Sequence, residues 1–393
     1  MVYAPTHRPY YDADSHIMEL PDFLRAYADP DIRDEIPLVD YTASIVTDEE
    51  VAEIVAQGNR HSDAHRDAQI ALGDDLIAKS KEIQGLGAFD STDRSTAMDL
   101  LGFEKQLVFA THSVVTPFHP SSKTPLRIKY GGARAHNRHM AEFCADDDRL
   151  MGVGVVSLDD PESAIAELEW AIDAGLEAMW VPHRPPIDKA PGHVDLEPFW
   201  ARLAEAGVPF VIHVGGSPLH TAKAWSNNGR AKTRDWMGGG ENLRTKDAML
   251  MHQDAEAFVA MLVADGVFAR HPNLRGAAVE LGAGWVPELL RRVDSVARIF
   301  SRYDESMRFD RTPSEQLTQQ MGFTPFPHED VARLIADSNE DLYLFSSDYP
   351  HIEGGRDPIG KFEGHMAPTS DEAKTKFFSE NFLRIWPEAR VAA

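Results

Sequence analysis

Seven side chains in this chain of 393 residues could do chemistry together if the fold gathers them. The first three lie in "YYDADSHIME", where Asp12, Asp14 and His16 alternate with apolar residues. Alternation places residues two apart on one face of a β-strand, so three ionisable groups share a face that would otherwise be apolar. His213 ends "VPFVIH", Glu280 follows "GAAV", and Asp348 follows "LYLFSS", with His351 three residues on. Imidazole nitrogens and carboxylate oxygens in this mixture suit a divalent transition metal such as zinc, iron or manganese, with one or two ions. Buried without a cation or donors, several carboxylates would cost several kcal/mol each. The expected ligands are therefore Asp14, His16, His213, Glu280 and Asp348. Asp12, one pair earlier, reads as a supporting or salt-bridged group.

Such groups meet only if every strand ends at the same place, and the surrounding sequence supplies that arrangement. "RLMGVGVVSL" (149–158) reads as a strand, and Asp160-Pro161 as the cap and first residue of a helix that Gly175 ends. Strand 176–183, helix 196–207 and strand 208–216 follow, giving a βαβαβ order and thus a parallel sheet. Strands at 10–19, 103–112, 274–284 and 341–351 extend it, and "QLTQQMGF" (316–323) is the candidate for the remaining one. The fold class is α/β: a (β/α)8 TIM-type barrel, with an open doubly wound sheet as the rival. "WVPELLRRVDSVARIFSRY" and "DEAKTKFFSENFLRIW" read as amphipathic helices. The whole chain, 1–393, is one barrel with a helical cap insertion at 20–100 and a lid loop at 217–250 rich in Gly, Asn and Lys/Arg. In a parallel barrel, polar residues at the strands' C-terminal ends are site candidates, and the groups named above all lie there.

Composition narrows the function. The chain is 43% hydrophobic and carries a formal net charge of −24, which opposes binding to nucleic acid or to anionic membranes. No run of about 18 apolar residues suggests a membrane span. The opening "MVYAPTHRPYY" lacks the features of a secretion signal. Cys144, the single cysteine, reads as a small buried helix residue in a cytoplasmic protein.

"DADSH", "VIHVGG", "VELGAGWVPELLRRVD" and "FSSDYPH", in this order, resemble the amidohydrolase superfamily, most closely the branch of aminocarboxymuconate-semialdehyde decarboxylase and related metal-dependent hydrolases. "RLMGVGVVSLDDPESAIAELEWAIDAGLEAMWVP" and "SENFLRIW" extend the resemblance. It implies that His213 and Asp348 carry over as ligands. Two positions depart: Asp14 stands where a His-x-His pair has its first histidine, and Glu280 stands where histidine is common. Glu280 is thereby a ligand, a bridge between ions, or an acceptor for His213. The resemblance also implies a homodimer.

The expected reaction is attack of activated water on an amide, ester, thioester or activated C–C bond of a sizeable organic acid derivative, with Asp348 moving the proton and His213 helping at the oxyanion. A non-oxidative decarboxylase of an aromatic or muconate-type acid needs the same ligands and is the alternative. A catalytically inactive ligand-binding barrel is the third reading. The candidates for contact with a small-molecule substrate are His183 and Arg184 after the fourth strand, His112 after the second, Arg94 and His351. Arg94 has a structural alternative as the partner of Asp99. His136 and His139 read as surface residues of a helix outside the barrel, and Trp180 and Trp285 as packing.

Overall fold

The computed structural model of the protein describes residues 2–41, 44–118, 123–217, 223–230 and 245–390. Short apolar segments become strands: β1 (Tyr11–Asp12), β2 (Lys105–Val108), β3 (Leu150–Val155), β4 (Ala178–Trp180), β5 (Phe210–His213), β6 (Gly276–Val279) and β7 (Met321–Phe323). They pair side by side in chain order and all in parallel. Residues 342–349 complete the circuit. Tyr343 bridges Phe323 of β7, Ser15 beyond β1 bridges Tyr349, and Asp348 N donates to Asp14 O at 2.8 Å. The result is the expected TIM-type barrel.

Helix signals in the sequence act as written. The Asp160 side chain accepts from Ser163 N at 3.0 Å and caps helix Pro161–Asp173, with Pro161 at its first position. Helix Glu197–Ala206 ends at Gly207, whose φ of +67° is the left-handed conformation that glycine adopts at no steric cost.

Two elements differ from expectation. In "QLTQQMGF" only Met321–Phe323 is strand, because residues 313–320 form a helix. Its start is a capping box, with Thr312 accepting from Glu315 N while Glu315 accepts from Thr312 N, and Pro313 at the first position. The C-terminal helix is interrupted: Asp371–Thr375 passes into a π-helical turn, Lys376–Glu380, before Asn381–Ile385.

The 20–100 segment contains helices Phe23–Tyr27, Asp48–Ala56, Asp63–Ile70, Leu76–Lys79 and Ser91–Leu101. A second apolar cluster, with Tyr41, Val46, Val51, Ile54 and Ile83, is built mainly from this segment. Its first helix corrects one expectation. Phe23 lies on the rings of His136 (5.8 Å) and His139 (4.3 Å), so His136 is fully buried and not a surface residue. Cys144 is half-buried at the end of the same helix, Leu126–Cys144, and burial pushes its thiol up to about 12, out of reach of thiolate chemistry. The expected lid loop, 217–250, falls largely on 218–222 and 231–244, which lie outside the described residues. Among the described residues no helix is long and apolar enough to cross a membrane.

Candidate metal centre

The strand ends bring five expected ligands together. His16 Nε2 is 3.2 Å from Asp14 Oδ1 and 3.6 Å from Asp348 Oδ1. His213 Nε2 is 3.4 Å from Asp14 Oδ1 and 3.3 Å from Glu280 Oε2. His351 joins them, with Nδ1 at 3.1 Å from Asp348 Oδ1 and its ring stacked on His16 at 4.0 Å. All six residues are buried. Two overlapping sets, Asp14-His16-His213-Glu280 and His16-Glu280-Asp348-His351, each bring their ligand atoms within 4.8 Å of one another.

Backbone geometry aims two of these groups. Glu280 (φ +52°) and Asp348 (φ +56°) both occupy the left-handed region. For residues other than glycine this costs on the order of 1–3 kcal/mol, and it persists only where the surroundings over-determine it. The constraints are visible. Glu280 N donates to Thr324 Oγ1 at 2.9 Å, and Asp348 N is held by Asp14 O.

The outward sides of the imidazoles set their tautomers. His213 Nδ1 is 2.9 Å from Val214 O, and His16 Nδ1 is 3.3 Å from Ala110 O. Carbonyls only accept, so each ring donates outward from Nδ1 and presents its Nε2 lone pair to the cluster, as a metal-ligating histidine does. Burial, then His351, pushes His16 down to about 4, and burial pushes His351 down to about 3, so both are neutral donors at pH 7. Burial, reinforced by Asp14, pushes Asp348 up to about 7.

The donor set fits a divalent ion. Asp14 Oδ1, His16 Nε2, Asp348 Oδ1 and His351 Nδ1 are buried, and none has a partner in hydrogen-bond geometry. Buried polar atoms are normally satisfied, and a cation held by either donor set would satisfy those of its own set.

Asp12 supports this group without joining it. It accepts from Ser347 N (2.7 Å), Ser347 Oγ (2.5 Å), Gln106 Nε2 (2.7 Å) and Asp14 N (3.2 Å), tying three strands together behind the donors. Arg94 is spent on the same scaffold: its guanidinium donates to Gln106 Oε1 (3.1 Å), His16 O (2.9 Å) and Ser15 Oγ (2.8 Å). Asp99 pairs instead with Arg149 at 2.8 Å, so the Arg94–Asp99 alternative does not form. Arg184 makes a two-point contact with Asp159 (2.9 Å to each oxygen), which also takes Lys129 Nζ at 2.6 Å. That guanidinium is committed within the protein. His183 is buried beside Gly216 of the turn after β5, where an added Cβ would lie 3.0 Å from its Nδ1. His112 packs its ring on Tyr41 at 5.2 Å. Trp180 packs on His213 (4.8 Å), and Trp285 donates from its indole to Gly282 O at 2.8 Å.

Glu19 and Thr111 were not among the sequence candidates. Glu19 closes the opening decapeptide and accepts from the backbone N–H groups of Thr111 (3.1 Å), His112 (3.0 Å) and Ser113 (2.8 Å), fixing the turn after β2. The available signal was a carboxylate following two apolar residues in a strand otherwise accounted for. A cleft of about 680 Å³ opens beside Glu280, with Met251, His252, Trp285, Phe326 and His328 in its walls. No Arg or Lys lines it among the described residues.

A closed parallel barrel with imidazoles and carboxylates gathered at its strand ends defines a metal-dependent enzyme class. The sequence profile of the amidohydrolase family matches residues 87–387, and the chain belongs to that family. No curated protein matches the sequence. Among solved structures, an amidohydrolase from Mycobacterium avium subsp. paratuberculosis K-10 is similar at TM-score 0.73 and 21% identity, over 99% of this chain and 100% of that one. 2,6-Dihydroxybenzoate decarboxylase from Rhizobium is similar at TM-score 0.61 and 17% identity, over 98% and 100%. Dihydroxybenzoic acid decarboxylase from Polaromonas sp. JS666, solved with manganese and 2-nitroresorcinol, is similar at TM-score 0.58 and 16% identity, over 98% of both chains.

Proposed function

We propose that this protein is a metal-dependent hydrolase acting on an uncharged carbonyl group, an amide, ester, thioester or activated C–C bond of a sizeable organic acid derivative. Asp14, His16, His213, Glu280 and Asp348 would hold the ion, for which manganese, zinc and iron are the candidates. When bound, such an ion supplies a Lewis acid and makes water a nucleophile at neutral pH. Asp348 takes up the proton released on attack and delivers it to the leaving group, as a carboxylate beside the attacking water can. His213, ringed by Phe109 (4.7 Å) and Trp180 (4.8 Å), keeps its orientation throughout and stands at the oxyanion side.

One observation carries this choice: carboxylates crowd the donor cluster, and the cations described around it are already engaged. Asp14, Glu280 and Asp348 share one cluster, Arg94 and Arg184 are committed elsewhere, Lys81, whose charge Asp348 feels, is held by His351 O at 3.0 Å, and the adjoining cleft offers no Arg or Lys among the described residues. In a low-dielectric site, placing a further anionic carboxylate there is unfavourable, whereas a neutral carbonyl is not penalised.

A second reading, non-oxidative decarboxylation of an aromatic or muconate-type acid, is favoured by the activities of the structurally similar Rhizobium and Polaromonas proteins. Manganese-loaded protein offered neutral aryl esters, amides and thioesters beside 2,6-dihydroxybenzoate separates the two. The proposal expects ester, amide or thioester turnover and no carbon dioxide. Carbon dioxide release without hydrolysis overturns it in favour of the second reading. We also propose a homodimer. Exposed Val296, Ile299 and Phe300 at the end of helix Val286–Phe300 support an association, and light scattering tests it.

A further inference from the structure

His351 lies beyond the strand-end positions that defined the expected ligands, and its surroundings give it a specific orientation. Its Nε2 is 2.9 Å from Thr111 Oγ1. The Thr111 hydroxyl has one proton, which it donates to Ile17 O at 2.8 Å, so toward His351 it accepts. His351 therefore carries its proton on Nε2 and has a lone pair on Nδ1. That nitrogen is fully buried, has no hydrogen-bond partner, and faces Asp348 Oδ1 at 3.1 Å. Two acceptors face to face at this distance repel unless a cation lies beside them or a proton between them. The stack of His351 on His16 at 4.0 Å, with planes only 17° apart, holds the two rings side by side so that both lone pairs address the same space.

From this geometry we infer that His351 is an imidazole donor to an ion held with His16, Glu280 and Asp348, with Thr111 as the positioning residue that fixes its tautomer and ring plane. The inference rests on the reading of the cluster as a metal centre. Two imidazole nitrogens in that set shift it away from magnesium and calcium toward zinc, iron and manganese.

The test is manganese uptake by the purified full chain, with pulsed EPR to count the coordinated imidazole nitrogens. One nitrogen fewer is expected in His351→Gln than in the wild type, with affinity at least tenfold weaker in the variant. Thr111→Val should weaken affinity by about 10–100-fold, the range for groups that orient a ligand, while Thr111→Ser, which keeps the hydroxyl, should restore it. Thermal unfolding of the metal-free variants controls for folding, and if His351→Gln does not fold, the Thr111 pair carries the test. An unchanged nitrogen count and affinity in His351→Gln, or equal affinities in Thr111→Val and Thr111→Ser, overturns the inference while leaving the metal centre standing. A wild type that binds no manganese overturns both.

Discussion

Replacing Arg94 with methionine tests whether this residue organises the site from behind or binds substrate. The side chain is fully buried, and its guanidinium lies 5.2 Å from the centre of the Tyr349 ring. Methionine fills much of the volume but abandons Gln106 Oε1, His16 O and Ser15 Oγ, acceptors reached at 2.8–3.1 Å. A buried acceptor left unsatisfied costs about 1–3 kcal/mol. Ser15 Oγ keeps its own bond to Leu107 O, and removing a buried charge returns part of its desolvation cost, so a net loss of about 3–5 kcal/mol is expected. With an unfolding entropy of about 2 cal/mol/K per residue, a chain of this length should lose about 4–6 °C in Tm. Differential scanning calorimetry of metal-free Arg94→Met reads this directly, away from any effect on substrate. A Tm within 1 °C of wild type, together with a raised KM, would refute the scaffold role and make Arg94 a substrate contact.

Other consequences follow from the same geometry. Asp348→Asn removes the proton carrier and should lower kcat by about 10²–10⁴ while retaining much of the metal, which steady-state kinetics and elemental analysis check together. A saturating divalent ion should stabilise the metal-free protein by about 2.7 kcal/mol at a hundredfold excess over Kd, and a melting curve unmoved by manganese or zinc would count against the centre. Burial pushes His136 down to about 4, below its unfolded value of about 6.5. Its contribution is therefore fully present above pH 6.5 and is lost as pH falls toward 4, with a slope of up to about 1.4 kcal/mol per pH unit. In His136→Leu, the Tm–pH curve should be flatter in that window, and an unchanged curve would contradict the assignment.

Much of the barrel was legible because its signals are local. Asp160-Pro161 and Gly207 mark helix ends wherever the helix packs, and apolar runs such as "VPFVIH" announce strands buried on both faces. The missed helix at Pro313–Gln320 had an equally local signal in Thr312-Pro313-Ser314-Glu315; reading the following residues as a strand overrode it. The candidate ligands were legible from position alone, since strand ends in a parallel barrel share one face. What sequence could not supply was the use of each donor. Arg94 and Arg184 look like substrate contacts until their acceptors, His16 O and Asp159, are seen across 78 and 25 residues of chain. His136 seems exposed until Phe23 of the insertion covers it. The orientation of His351 depends on a hydroxyl 240 residues earlier, and no pattern along the chain encodes that pairing.

The central claim is that Asp14, His16, His213, Glu280 and Asp348 enclose a divalent ion. His16 belongs to both overlapping donor sets, and a single ion per chain is the simplest occupancy. Elemental analysis of protein dialysed against manganese or zinc measures it most directly, with His16→Ala and His213→Ala treated alike. The account predicts close to one ion per wild-type chain and a loss of most of it in each variant. Full occupancy in both variants, or none in the wild type, would contradict it.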